Sequence, residues 1–168
     1  MRSNIVLIGL TGCGKTALGK RLSRMLNMPF IDMDSYIEEH YGAIKDLFEK
    51  GEEYFRDIES KVAKEVAQRK GTIISTGGGV VLRESNMEAL KSTGIVFYLD
   101  RPIEEIISTI DTSNRPLLKD GKEVIYRLKK EREHLYIRYC DYRIYSSNME
   151  YALSAISSIW KENQKQFT

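Results

Sequence analysis

Eight residues near the start of the chain, Gly9 to Thr16 in "GLTGCGKT", have the types and spacing of a phosphate cradle, G-x-x-x-x-G-K-[ST]. Glycines let a backbone turn its N–H groups onto phosphate oxygens, and a helix opening at the end of the loop adds positive potential. Lys15 is placed to reach the β- and γ-phosphates, and the Thr16 hydroxyl to bind Mg²⁺. The flanks agree: Asn4–Ile8 reads as a strand, and Leu18, Leu22 and Met25 form a helical stripe after the loop. A glycine turn that binds nothing has no need of Lys-Thr at its end, so the stretch implies a nucleoside triphosphate site. Cys13, inside the loop, is expected as a small buried filler rather than a reactive thiol.

"IDMDSY" places Asp32 and Asp34 at the end of a second apolar run. On extended backbone, residues two apart share a side, and adjacent carboxylates repel unless a cation or a proton transfer uses them. One would hold Mg²⁺ through its hydration shell; the other would accept the proton of an attacking hydroxyl. Capping a helix that opens at residues 35–37 accounts for one aspartate but not two. Arg56 and Glu59, in "GEEYFRDIESK", are neighbours on a helix, and alone they read equally well as a surface ion pair. Arg132 is more telling. In a helix over 122–139, Val124, Ile125, Leu128, Leu135 and Tyr139 share an arc of about 100°, and Arg132 falls inside it. A cation facing the core needs an anion or must snorkel out, and a substrate carboxylate is an anion that arginine binds bidentately.

Arg115, in "NRPLL", lies in an irregular stretch over 111–121 that reads as a flap. Closure would deliver its charge onto a transferring phosphoryl group. "STGGGVV", residues 75–81, follows another apolar run. Gly77, Gly78 and Gly79 cost entropy to order and offer no side chain, but they leave bare backbone that can approach a ligand closely. A bulky residue at Gly78 should then block the acceptor and spare the triphosphate.

The elements that must carry these residues alternate along the chain. Strands are expected at Asn4–Ile8, Pro29–Asp32, Thr72–Ser75, Ile95–Leu99 and Tyr142–Tyr145, several apolar throughout as in a parallel sheet buried on both faces. Helical stripes intervene: Ile58, Val62 and Val66, then Leu153, Ile156 and Trp160. Gly71 is expected to cap the first of these, and Ser85 with Glu88 to form a capping box for a helix ending near Gly94. An α/β class follows. With 168 residues and no repeat, one domain over 1–168 is expected, with an acceptor-binding helical segment near 33–60. Lys and Arg total 26 against 24 Asp and Glu, which argues against nucleic-acid binding. No apolar stretch is long enough to span a membrane, and two cysteines are too few for a disulfide framework or a metal spacing, so a cytoplasmic setting is expected.

Taken in order, "GLTGCGKT", "FIDMDSYIE", "GEEYFRDIE", "STGGGVV", "NRPLL" and "REHLY" make the chain resemble the shikimate kinase family over essentially its full length. The resemblance implies an adenylate-kinase-like P-loop kinase with a five-stranded parallel sheet in 2-3-1-4-5 order, flanking helices and a lid near 111–121. It implies MgATP-dependent phosphorylation of the shikimate 3-hydroxyl by a monomer, with Mg²⁺ as cofactor and no nucleic acid or membrane as partner. Phosphates would be bound at Gly12, Cys13, Gly14, Lys15, Thr16, Ala17 and Arg115. The metal would lie at Thr16 and Asp32. Asp34, Arg56, Glu59, Gly78, Gly79 and Arg132 would hold shikimate, with Asp34 as the base and Glu59 orienting Arg56; Lys15 and Arg115 would act beside it in catalysis. Two departures concern the adenine: Ser108 stands where the family usually has an arginine, and "YSSNMEY" after the last strand lacks the family's adenine-loop pattern. The rival readings are another small-molecule P-loop kinase, gluconate-like or acting on a nucleoside monophosphate, and an ATP-binding regulatory domain without catalysis.

Overall fold

The computed structural model describes residues 1–109 and 121–166. In chain order the elements are β1 (Asn4–Ile8), α1 (Lys15–Leu26), β2 (Phe30–Asp32), α2 (Met33–Tyr41), α3 (Ile44–Glu49) and α4 (Glu52–Ala67). They continue with β3 (Ile73–Ser75), a 3₁₀ turn (Val80–Leu82), α5 (Glu84–Thr93), β4 (Gly94–Asp100), α6 (Ile103–Thr109), α7 (Glu123–Tyr139), β5 (Tyr142–Tyr145) and α8 (Met149–Lys165). The lid expected over 111–121, with Arg115, lies outside the described residues except for Gly121.

The strands form one sheet in the order β2-β3-β1-β4-β5, all neighbours parallel, which is the order the resemblance implies. Every residue of β1, β3 and β4 is buried, as apolar runs without alternation predict for a sheet covered on both faces. β5 is an edge strand, and only Ile144 of its four residues is buried. Because all strands run the same way, Ile8, Asp32, Ser75, Asp100 and Tyr145 bring their carboxyl ends to one side of the sheet, where open α/β sheets bind ligands. Among the described residues no helix is long and apolar enough to cross a membrane.

Several local expectations are corrected. Met25 is exposed, and α1 instead buries Leu18, Gly19 and Leu22, because Gly19 packs against the Phe30 ring. Ser85 is not a cap: α5 opens at Glu84 after Arg83, whose guanidinium is engaged by Asp57 at 2.8 Å and Glu53 at 3.0 Å on α4. α4 stops at Ala67, and Gly71, with φ 63°, turns the chain into β3 further on rather than capping the helix. α2 opens at Met33, so Asp32 ends a strand and Asp34 sits in a first helical turn. A shared pleat therefore does not set their relative direction, because a helix begins between them.

Candidate active site

The phosphate loop joins β1 to α1. Gly9, Gly12 and Gly14 have φ of 148°, 80° and 98°, values that side chains resist, so the glycines are required by conformation. α1 starts at Lys15 with no acidic residue in its first turn, leaving the positive end of the helix unopposed. Lys15 Nζ donates to Gly9 O at 2.7 Å and Leu10 O at 3.1 Å, which fixes the ammonium beneath the loop. Cys13 is buried as expected, its Sγ 3.6 Å from that ammonium. Two side chains brace the loop from outside. Arg101 Nη1 donates to Gly12 O at 3.0 Å, and Ser146 Oγ donates to Cys13 O at 3.3 Å. Neither was identified from the sequence, since nothing in a lone arginine or serine signals a partner 89 or 133 positions away.

The second glycine run follows β3 and touches everything else predicted for the acceptor. A Cβ at Gly77 would lie 3.0 Å from Asp34 Oδ1 and 3.2 Å from Glu59 Oε2. One at Gly79 would enter the guanidinium of Arg56, 2.6 Å from Cζ. At Gly78 the neighbours are Thr11 N at 3.4 Å and Arg132 Nη1 at 3.5 Å, ordinary contacts that leave room for a methyl group. The tightest positions are therefore 77 and 79, not 78. None of the three has positive φ, so at Gly77 and Gly79 glycine is needed for space.

The ion pair Arg56–Glu59 is no surface pair. Arg56 and Glu59 are 5% and 1% exposed, Nη1 donates to Oε1 at 2.8 Å, and the guanidinium stacks over the rings of Phe48 and Phe55. Burial pushes the Glu59 carboxyl above the usual carboxylate range, with Arg56 and then Arg132 opposing. Arg132 is 6% exposed on α7, as its place in the apolar arc predicts. Among the described residues no carboxylate lies within 4.0 Å of it to form an ion pair, and its Nε has no hydrogen-bond partner. The Nε of Arg56 is orphaned in the same way. Two buried guanidiniums with unsatisfied donors and one fully buried carboxylate between them make a site suited to an anion.

Thr16 and Asp32 line a common cleft of about 270 Å³ with Lys20, Ile31 and Ser35. Ser35 Oγ donates to Asp32 Oδ2 at 2.8 Å, orienting that carboxylate. Among the described residues no three His, Cys, Asp or Glu side chains gather around a point. A divalent ion at Thr16 and Asp32 would draw most of its ligands from phosphate oxygens and water, the manner in which proteins hold Mg²⁺, so the residues fit that metal.

α7 carries one site residue that sequence reasoning missed. Tyr136, 1% exposed, donates its hydroxyl hydrogen to Gly78 O at 2.6 Å and stacks on Tyr98. On an ideal helical wheel it falls about 20° beyond the arc drawn through Val124 and Ile125. The helix is rolled so that Tyr136 is buried while Leu135, inside that arc, is only half-buried. The signal was its spacing of four from Arg132, which puts both on one face.

The sequence model of one protein family, described as shikimate kinase, matches residues 11–161. A shikimate kinase of Clostridium botulinum is 52% identical over 141 residues, covering 83% of this chain and 86% of that protein. The solved structure of shikimate kinase from Acinetobacter baumannii in complex with shikimate superposes with a TM-score of 0.90 at 35% identity, over 96% of this chain and 94% of that one. A gluconokinase from Sinorhizobium meliloti aligns with a TM-score of 0.60 over 98% and 97% of the two chains, but at 13% identity it shares the fold alone.

Proposed function

This chain belongs to the shikimate kinase family, and on that premise we propose that it transfers the γ-phosphoryl group of MgATP to the 3-hydroxyl of shikimate. The observation that carries the acceptor is Arg132: a buried cation with no carboxylate to pair it among the described residues, beside the buried Arg56–Glu59 pair. Shikimate brings the missing carboxylate, and its polyhydroxylated ring needs the bare backbone that Gly77–Gly79 leave. Gly78 lies against Thr11 and Gly9 of the phosphate loop, so the acceptor wall and the donor cradle are in contact.

Position supports a role for each residue. Arg56 and Arg132 hold the carboxylate, with Glu59 fixing the Arg56 fork. Asp34, near Gly77, orients the ring hydroxyls and takes the proton of the attacking oxygen. Backbone N–H groups from Gly12 to Ala17 receive the phosphates, and Lys15 counters charge on the transferring group. Thr16 and Asp32 would hold Mg²⁺, which when bound screens the phosphate charge. Arg115 would add its charge from the lid. A carboxylate clamp also separates this reading from a nucleotide acceptor, whose phosphate needs further cations.

A coupled ADP-release assay tests the proposal. ADP formation should require Mg²⁺ and shikimate together, with gluconate inert. Turnover with gluconate but not shikimate would overturn it, and ATP binding without turnover on either would favour a regulatory domain.

A further inference from the structure

We infer that Tyr136 is a positioning residue for the acceptor: through its hydroxyl it fixes the peptide between Gly78 and Gly79, and so aims the Gly79 N–H. The inference rests on the acceptor site proposed above. Three observations carry it. The hydroxyl donates to Gly78 O at 2.6 Å, a short bond for a neutral pair. In a trans peptide the carbonyl oxygen and the following N–H point to opposite sides, so holding Gly78 O on the α7 side turns the Gly79 N–H away from α7. Gly79 in turn lies against the Arg56 guanidinium, so that N–H belongs to the wall of the anion site.

A run of three glycines has no side chains to hold its own peptide planes. It therefore needs an external partner, and Tyr136 is well built to be one. Its ring is immobilised by burial and by stacking on Tyr98 at 5.2 Å between centroids. Burial raises the pKa of the phenol, keeping it a donor, while Arg132 one helical turn earlier faces the same oxygen and opposes that rise. One hydroxyl thus bonds the glycine backbone and lies within the field of the carboxylate clamp. Tyr136 itself need not touch shikimate.

Tyr136→Phe keeps the ring and removes only the hydroxyl. In the full-length enzyme the KM for shikimate is expected to rise about tenfold, with KM for ATP and kcat within about twofold of wild type and an unchanged circular dichroism spectrum. A merely structural tyrosine would not produce that split. In ¹H–¹⁵N spectra of the free protein the Gly79 amide should move in the variant, while Gly12 and Gly14 stay in place. An unmoved Gly79 resonance, or a KM for ATP that rises as much as that for shikimate, would overturn the inference. If wild type itself fails to turn over shikimate, the proposed function has failed, and the Gly79 resonance still decides the positioning role.

Discussion

Two glycine-rich turns leave adjacent strands of the same sheet, and they use glycine for different reasons. After β1, Gly9, Gly12 and Gly14 hold positive φ, and at Gly14 a Cβ would meet nothing within 4 Å. The demand at Gly14 is conformational, joined at Gly9 by a close approach to Leu99 O: the chain must curl so that successive N–H groups converge. After β3, Gly77, Gly78 and Gly79 have no positive φ, and the demand is steric at Gly77 and Gly79, set by Asp34, Glu59 and Arg56. The first turn makes a ligand site from its own backbone. The second yields room so that charged side chains from α2, α4 and α7 can close on one point. A loop of the first kind is recognisable from its own sequence, whereas one of the second kind depends on residues elsewhere in the chain.

The sharpest way to break this contrast is at Gly79. Gly79→Ala is allowed by φ, which is −95°, but its methyl must displace the Arg56 guanidinium. That guanidinium is the far end of a long side chain, so it yields and the backbone does not. The loss of one well-placed charged hydrogen-bonding group is worth roughly 2 kcal/mol, or about 30-fold in affinity. KM for shikimate should rise by about that factor, with KM for ATP unchanged. A normal KM for shikimate would show that Arg56 is not held against this wall.

Gly14→Ala is the converse test, with space available and φ forbidding. Holding alanine at φ 98° costs on the order of 1–2 kcal/mol. In a domain of this size that lowers Tm by a few degrees, and relaxation of the loop should raise KM for ATP about fivefold while KM for shikimate stays put. Thermal melts and initial rates read both effects. An unchanged Tm would mean that the loop tolerates a side chain there, and the conformational half of the contrast would fall.

The unequal legibility of the two turns extends to the rest of the molecule. The five strands followed from short apolar runs, because burial on both faces leaves a pattern readable in few residues, whereas their order came only from the family resemblance. Arg132 was legible for the opposite reason, as the one residue in its arc that breaks the pattern. Asp32 and Asp34 were singled out by an argument the structure revises, since a helix begins between them. Arg101 and Ser146 were invisible, and Tyr136 showed only by its spacing of four from Arg132: each acts by one hydrogen bond to a backbone carbonyl distant in sequence, and carbonyls have no sequence signature. The burial of Arg56 and Glu59 was also hidden, because spacing of three describes an exposed and a buried ion pair alike.

That buried pair gives the smallest and most specific test of the second turn. The Glu59 carboxyl, raised above its ordinary range by burial, holds its proton in the native state at pH values where the unfolded chain has released it. Stability from this group is therefore full below the ordinary carboxylate pKa and declines as pH rises from there through the raised native value. Glu59→Gln does not titrate and lacks that decline, although it leaves Arg56 without its counter-charge and lowers Tm overall. The gap between wild type and Glu59→Gln should narrow as pH is raised from about 4 to 7, by at most ~1.4 kcal/mol per pH unit. Melts at four or five pH values would measure it. A gap that widens with pH would mean that Arg56 and Arg132 outweigh burial and hold the carboxyl below its ordinary range. The glycine turn would then border a carboxylate already satisfied by its arginines, and the call for a ligand anion would rest on Arg132 alone.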